Sequence, residues 1–330
     1  MKNIIKMDAN ENPIKHNFNI EEIIKEIDPK LYPDVTCSGI VKKIASLYKV
    51  SNSEVVCTNG SDMLIKIITS ALTSNNNSII MPSIAFPTYE IAAKIYNRPY
   101  YLSPLKDYGI DLEDMINHVD ESTSLIWISN PHNPTGKLLT YYEIENFLNQ
   151  IPNHINVVLD EAYAEYIDGM LLDSFKLRNK YPNLIIIRTL SKAYGLAGVR
   201  IGYGIANCNI INKLKEFIGP FDLNSYAQLL GERVIEEQYY VNNVREYTKI
   251  EMKKFKKSLD DNDIEYIKSY ASFIMIKTNE LTENIEKTLF KKGISIKNGK
   301  YIGFPGWIRV SINDKSYNNT VIKTLLEYLS

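Results

Sequence analysis

The sequence predicts an α/β protein in which a mostly parallel central sheet is covered by helices and joined to a smaller α+β domain. Three observations carry this. Between residues 55 and 207, short apolar runs alternate with longer mixed segments, strand then helix, several times over. The runs are continuously apolar rather than alternating, as strands buried on both faces require. Polar clusters follow the runs, at the strand ends where open α/β sheets bind ligands.

In order, strands are predicted near Glu54–Thr58, Ser78–Met81, Ser124–Ser129, Asn156–Leu159, Leu184–Arg188 and Arg200–Ile205. Helices are predicted over Asp62–Leu72, Pro87–Tyr96 and Tyr141–Asn149. After residue 210 the rhythm changes. One long helical region covers about Asn224–Leu259, followed by strand-like Ser272–Thr278, Ile294–Lys297 and Trp307–Ile312, a helix near Thr282–Lys292 and a C-terminal helix. The 330 residues therefore divide into a large α/β domain, 30–220, and a smaller α+β domain made of 1–29 and 221–330.

Bulk properties exclude several classes. Lys+Arg of 38 against Asp+Glu of 39 leaves a net charge of −1, with no footprint for nucleic acid or an acidic membrane. The three cysteines show no CxxC spacing and fit free thiols in a reducing compartment. The opening MKNIIKMDANEN turns polar by Asp8, unlike a signal peptide, and no apolar run is long enough for a membrane span. The expectation is a soluble, cytoplasmic protein. Four histidines without ligand spacing predict no metal site.

Asp160 ends the apolar run INVVL, where an unpartnered ionised carboxylate would be costly. A protonated ring nitrogen would resolve that cost; a carboxylate that caps the next segment is the plainer reading. Lys192 follows another run, with Thr189, Ser191 and Arg200 nearby. Two hydroxyls and a guanidinium suit a phosphate. A lysine beside another cation in a partly desolvated pocket attacks carbonyls. The turn Thr58-Asn59-Gly60-Ser61-Asp62 opens a helix, whose free amides suit a phosphate as well as an ordinary cap.

SNPHNPTG (129–136), VVLDEAY (157–163) and TLSKAYGLAGVRIGYG (189–204), in this order, resemble the fold type I aminotransferases. DANENP (8–13), LYPD (31–34) and WIRVSI (307–312) resemble the histidinol-phosphate aminotransferase group within them. The resemblance runs over nearly the whole chain and implies a pyridoxal 5'-phosphate (PLP) enzyme. It implies that Lys192 holds the cofactor as a Schiff base and then shuttles a proton, with Asp160 on the pyridinium nitrogen. Asn133 and Tyr163 would bond the phenolic oxygen, and Tyr89 would stack on the ring. Ser61, Asp62, Thr189, Ser191 and Arg200 would hold the phosphate. Tyr32 would reach the phosphate in a neighbouring subunit, making a homodimer with shared sites. Arg309 would bind the donor's carboxylate, with help from Asn10. Without the resemblance, Tyr32 and Tyr89 read as packing and Arg309 as a surface residue. His132 reads as a solvated loop histidine.

The chain departs from the group near the substrate. Where relatives carry an arginine for the substrate phosphate, the aligned residue is Lys297, with Lys300 as the alternative; lysine keeps the charge but loses the two-pronged fork. Met63 and Asp222 also differ from the usual residues, and few residues precede Asn10. The expected reaction moves an amino group between glutamate and a small phosphorylated ketone. Imidazole-acetol phosphate comes first, and a three-carbon ketone phosphate such as dihydroxyacetone phosphate competes. The rivals are a PLP-dependent decarboxylase of a phosphoserine or phosphothreonine type, and a non-catalytic PLP-binding protein. The second lacks the DNA-binding module expected of it.

Overall fold

Strands that must be covered on both faces are found covered on both faces. In the computed structural model, which describes residues 4–167 and 174–329, a seven-stranded sheet forms the centre. Its order is Val55–Thr58, Gly202–Ile205, Leu184–Thr189, Asn156–Asp160, Thr123–Ser129, Ser78–Pro82, Tyr100–Ser103. All neighbours run parallel except Gly202–Ile205, which is antiparallel to both of its partners. Side chains alternate between two apolar layers. Trp127 and Val158 pack with the helix Ser61–Leu72, while Ile126, Ile128, Val157 and Leu159 pack with the helix Tyr141–Leu148.

A five-stranded sheet has the order Ile5–Met7, Ile294–Asn298, Trp307–Ser311, Phe273–Lys277, Tyr266–Ile267. The N-terminal strand joins it in parallel, Ile5 opposite Ile294. Helices Thr282–Lys291 and Lys315–Leu329 cover it through Ile285, Leu289, Val321 and Leu325. Among the described residues no helix is long and apolar enough to cross a membrane.

Three readings of the sequence change. The long helical region is two helices, Ser225–Val234 and Gln238–Asp260. Ala227, Leu230 and Val234 join the core of the helix Ser38–Tyr48, whereas the 23-residue second helix runs from that core at Val241 to the smaller sheet at Phe255. At about 1.5 Å per residue it is long enough to bridge the two. The strand Tyr100–Ser103 had no apolar signal because it lies at the sheet edge and is half-buried. The strand expected from Arg200 starts at Gly202, because Arg200 takes a left-handed backbone (φ 64).

Candidate active site

The strands Asn156–Asp160, Leu184–Thr189 and Thr123–Ser129 end together, and a cavity of about 490 Å³ opens at their carboxyl ends, where such sheets bind ligands. Asp160, Lys192, Tyr163, Ser61, Asp62, Tyr89, Asn133, Thr189, Ser191, Arg200, Asn10, Arg309 and Lys297 all line it. Tyr32 does not; it lies on the surface, 81% exposed, stacked on Phe221.

Asp160 forms the floor. It is buried, Tyr89 Oη donates to its Oδ2 at 2.5 Å and the Ala162 amide to its Oδ1 at 3.1 Å. Desolvation pushes its carboxyl up to about 6, with Asp62 and Glu161 adding and the two donors opposing. No cation of the chain pairs with it among the described residues. A buried carboxylate held by neutral donors is suited to a cationic ring nitrogen.

At one end the helix Ser61–Leu72 begins with bare amides. Gly60 is its cap at φ 79, and among the described residues no side chain caps the amides of the first turn. Thr189 Oγ1 donates to Ser191 Oγ at 2.9 Å, and Arg200 Nη1 reaches Ser191 Oγ at 3.4 Å. Arg200 Nη2 donates to Asp62 Oδ2 at 2.8 Å. A Cβ on Gly60 would overlap the Arg200 guanidinium, so the glycine keeps that cradle open. Amides at a helix start, hydroxyls and a guanidinium around one space fit a phosphate group.

Lys192 stands between these ends, half-buried, with Nζ donating to Ala9 O at 3.0 Å. The N-terminal segment thus lies against the lysine. Its neighbour Asn10 is buried, and Asn10 Nδ2 donates to Tyr163 Oη at 2.8 Å. At the far end Arg309 sits opposite Lys297 in adjacent antiparallel strands. Arg309 donates to Asn133 Oδ1 at 2.7 Å and Asp8 O at 2.8 Å, and its Nε has no partner. Burial pulls its pKa down, against the pull of Tyr163 and Asp8. Among the described residues it is a buried cation without a carboxylate partner, not the surface residue its strand neighbours suggest. Lys300 turns away to Glu283 at 2.7 Å, so of these two lysines it is Lys297 that lines the cavity.

Two further residues are held more tightly than the sequence suggests. Tyr89, one of the residues lining the cavity, is fully buried, stacked on Trp127 (4.7 Å between centroids) and bonded to Asp160. The half-exposed aromatic bordering the cavity is Phe86, edge-on to Tyr89. Both stand in the same FPTYE segment, three residues apart, and only the packing decides which of them is fully buried. His132 is buried; Nδ1 pairs with Thr135 Oγ1 and Nε2 with Ile84 O, both at 2.9 Å. Desolvation lowers its pKa to about 4, so it is a neutral brace for the loop. Asp222 caps Gly219 N on the surface, and Met63 packs against the core. Asp8 and Glu11, unmarked by any motif role, also border the cavity.

Residues 2–325 match the model of the family described as aminotransferase class I and II. The chain is 36% identical to a histidinol-phosphate aminotransferase of Caldicellulosiruptor saccharolyticus, covering 100% of this chain and 93% of that one. A crystal structure of histidinol-phosphate aminotransferase from Sinorhizobium meliloti in complex with pyridoxal-5'-phosphate superposes with TM-score 0.92 at 22% identity, covering 99% and 91% of the two chains. The fold is also shared with L-threonine-O-3-phosphate decarboxylase from Porphyromonas gingivalis, with TM-score 0.84 at 21% identity and 99% of each chain covered. With its family model matched almost end to end and a relative at this identity over its full length, the chain belongs to the class I and II aminotransferases.

Proposed function

We propose that the chain is a PLP-dependent aminotransferase that moves an amino group between glutamate and a small phosphorylated ketone, with imidazole-acetol phosphate the first candidate. The observation that carries the reading is the pairing of two cations, Arg309 and Lys297, across one strand pair in the cavity that also holds Asp160 and Lys192. A carboxylate and a phosphate are the two anions such substrates bring. The full-length relatives named histidinol-phosphate aminotransferase support the ring-bearing acceptor.

The residues present fit PLP. The bare helix start with Thr189, Ser191 and Arg200 would take its phosphate, and Asp160 its ring nitrogen. Asn133 and Tyr163 would take its phenolic oxygen, with Phe86 bordering the ring. When bound, PLP supplies an electron sink for the bond broken at the amino acid's Cα and a carrier for the amino group. The Asp160 carboxylate keeps a proton at the ring nitrogen, which deepens that sink. Lys192 would hold the cofactor covalently; its freed amine holds and moves the proton at Cα. Tyr163, fixed by Asn10, orients the group it bonds. Arg309 orients the substrate carboxylate against Asn133. Lys297 attracts the phosphate as a point charge.

A homodimer with shared sites belongs to the same reading. Exposed Leu31, Tyr32 and Val35 support it, since side chains of this kind on a surface mark an interface.

The test is the visible absorbance of protein loaded with PLP, before and after glutamate. The expected result is a band that glutamate converts to the amino form, and that a phosphorylated ketone then restores. A band indifferent to glutamate, with carbon dioxide released from a phosphorylated amino acid, would replace transamination by decarboxylation. Failure to bind PLP would overturn the reading.

A further inference from the structure

Behind the cavity floor lies a buried charge cluster that does not line the cavity. Glu161 follows Asp160 just past the strand end, and its side chain turns to Arg188 rather than into the cavity. It is fully buried, and its Oε2 accepts from Arg188 Nε at 2.9 Å and Nη2 at 2.7 Å. Arg188 Nη1 donates to Tyr48 Oη at 3.2 Å and Glu165 Oε1 at 3.3 Å, and the guanidinium lies over Tyr48 and Phe175. One guanidinium therefore serves two buried carboxylates, and Glu161 Oε1 and Glu165 Oε2 have no partner. Replacing a buried ion cluster by apolar residues is often neutral or stabilising, so stability alone gives a weak reason for this one.

The backbone links the cluster to the floor. The Glu161 amide donates to Ile187 O at 2.9 Å and its carbonyl accepts from the Ala164 amide at 3.0 Å. This holds the peptide whose next amide, Ala162, donates to Asp160 Oδ1. We propose that Glu161, held by Arg188, is a positioning residue for Asp160: it fixes the carboxylate's orientation and adds negative charge that keeps a proton on the group Asp160 faces. The inference rests on the reading of Asp160 as partner of a ring nitrogen. Burial dominates the raised proton affinity of Asp160, and Glu161 and Asp62 are the charges that add to it. The other titratable groups that line the cavity are Asp8, Glu11, Tyr89, Tyr163, Lys192, Arg200, Lys297 and Arg309, and Tyr48, Tyr194, Tyr203 and Glu165 surround Arg188.

Two variants separate charge from orientation. Glu161→Gln keeps an acceptor for the arginine fork and removes the charge; Glu161→Ala removes both. Asp160 is titrated in the cofactor-free protein by carbon-13 NMR of labelled aspartate, assigned with Asp160→Asn. In the PLP-loaded enzyme the visible band is titrated and kcat and KM are measured. Glu161→Gln is expected to lower the Asp160 midpoint by about half a unit or more and to shift the visible titration the same way. Glu161→Ala is expected to cost roughly tenfold in kcat with KM changed less than about twofold. A lower melting temperature with the Asp160 midpoint unmoved in Glu161→Gln would leave a purely structural cluster and overturn the proposal. If Glu161→Ala does not fold, Glu161→Gln decides alone. Because the NMR titration needs no cofactor, failure of the PLP reading and failure of this one are told apart.

Discussion

At the scale of single residues, the site is built from groups that gain little by being where they are unless a ligand arrives. Asp160 is the clearest. Its folded value, about 6, lies above the ordinary 3.8, so the folded protein holds this proton more tightly than the unfolded chain. The group thus favours the fold while protonated, and that contribution is lost as pH rises from about 4 through about 6. Two pKa units set a ceiling of about 3 kcal/mol. Asp160→Asn is therefore expected to make the cofactor-free protein more stable at pH 7 and to flatten its melting-temperature profile between pH 4 and 7. The same variant should lose most transaminase activity. A cofactor-free Asp160→Asn protein that melts lower than the parent at pH 7 would contradict the burial argument. Lys297 is judged by kinetics. Lys297→Ala should raise KM for the phosphorylated ketone by roughly tenfold or more, the worth of a charge-assisted bond, and leave KM for glutamate nearly unchanged. Equal effects on both would remove Lys297 from the phosphate.

Elements decide how those residues meet. The start of the helix Ser61–Leu72 rests on the strand Gly202–Ile205, and a Cβ on Gly202 would overlap the backbone of Gly60 and Ser61. Gly202→Ala is expected to push the helix start outward, costing about 1–3 kcal/mol of stability as overpacking does, and to weaken PLP binding. Equilibrium dialysis and urea unfolding would check both; unchanged affinity would show that the helix start does not set the phosphate cradle. The N-terminal segment is the other positioning element. Ile5–Met7 is a strand of the smaller sheet, and the chain then carries Ala9 to Lys192, Asn10 to Tyr163 and Asn12 to Ala193 O. The motif DANENP is thus a strap across the lysine loop.

At the scale of the whole molecule, the segment 31–35 exposes three large apolar side chains. Leu31 is 67% exposed, Tyr32 81% and Val35 55%, and Tyr32 takes no part in its own chain's cavity. Sedimentation velocity is expected to give the mass of two chains. Val35→Asp should produce single chains that retain PLP poorly, while Tyr32→Phe should stay paired and still lose cofactor more easily. A monomeric parent protein with full activity would end the shared-site reading.

The sequence by itself determined the parts whose signals are local. Apolar runs ending in polar clusters placed Asp160 and Lys192 at strand ends, and the residue types around Lys192 already suited a phosphate. The buried strands were legible because burial on both faces demands apolar side chains throughout. What depends on neighbours distant in the chain was decided only by the tertiary structure. Phe86 and Tyr89 are both aromatic, three residues apart and at the cavity, and packing against Trp127 decides that Tyr89 is fully buried while Phe86 stays half-exposed. Lys297 and Lys300 carry the same charge, and the antiparallel pairing with Arg309 picks Lys297 while Glu283 takes Lys300. The break between Val234 and Gln238 follows from two cores that no local pattern records. His132 looked solvated because its burial comes from Ile84 and Thr135, one of them far away in sequence. Residue type carries chemistry, whereas orientation and burial belong to the contacts the fold creates.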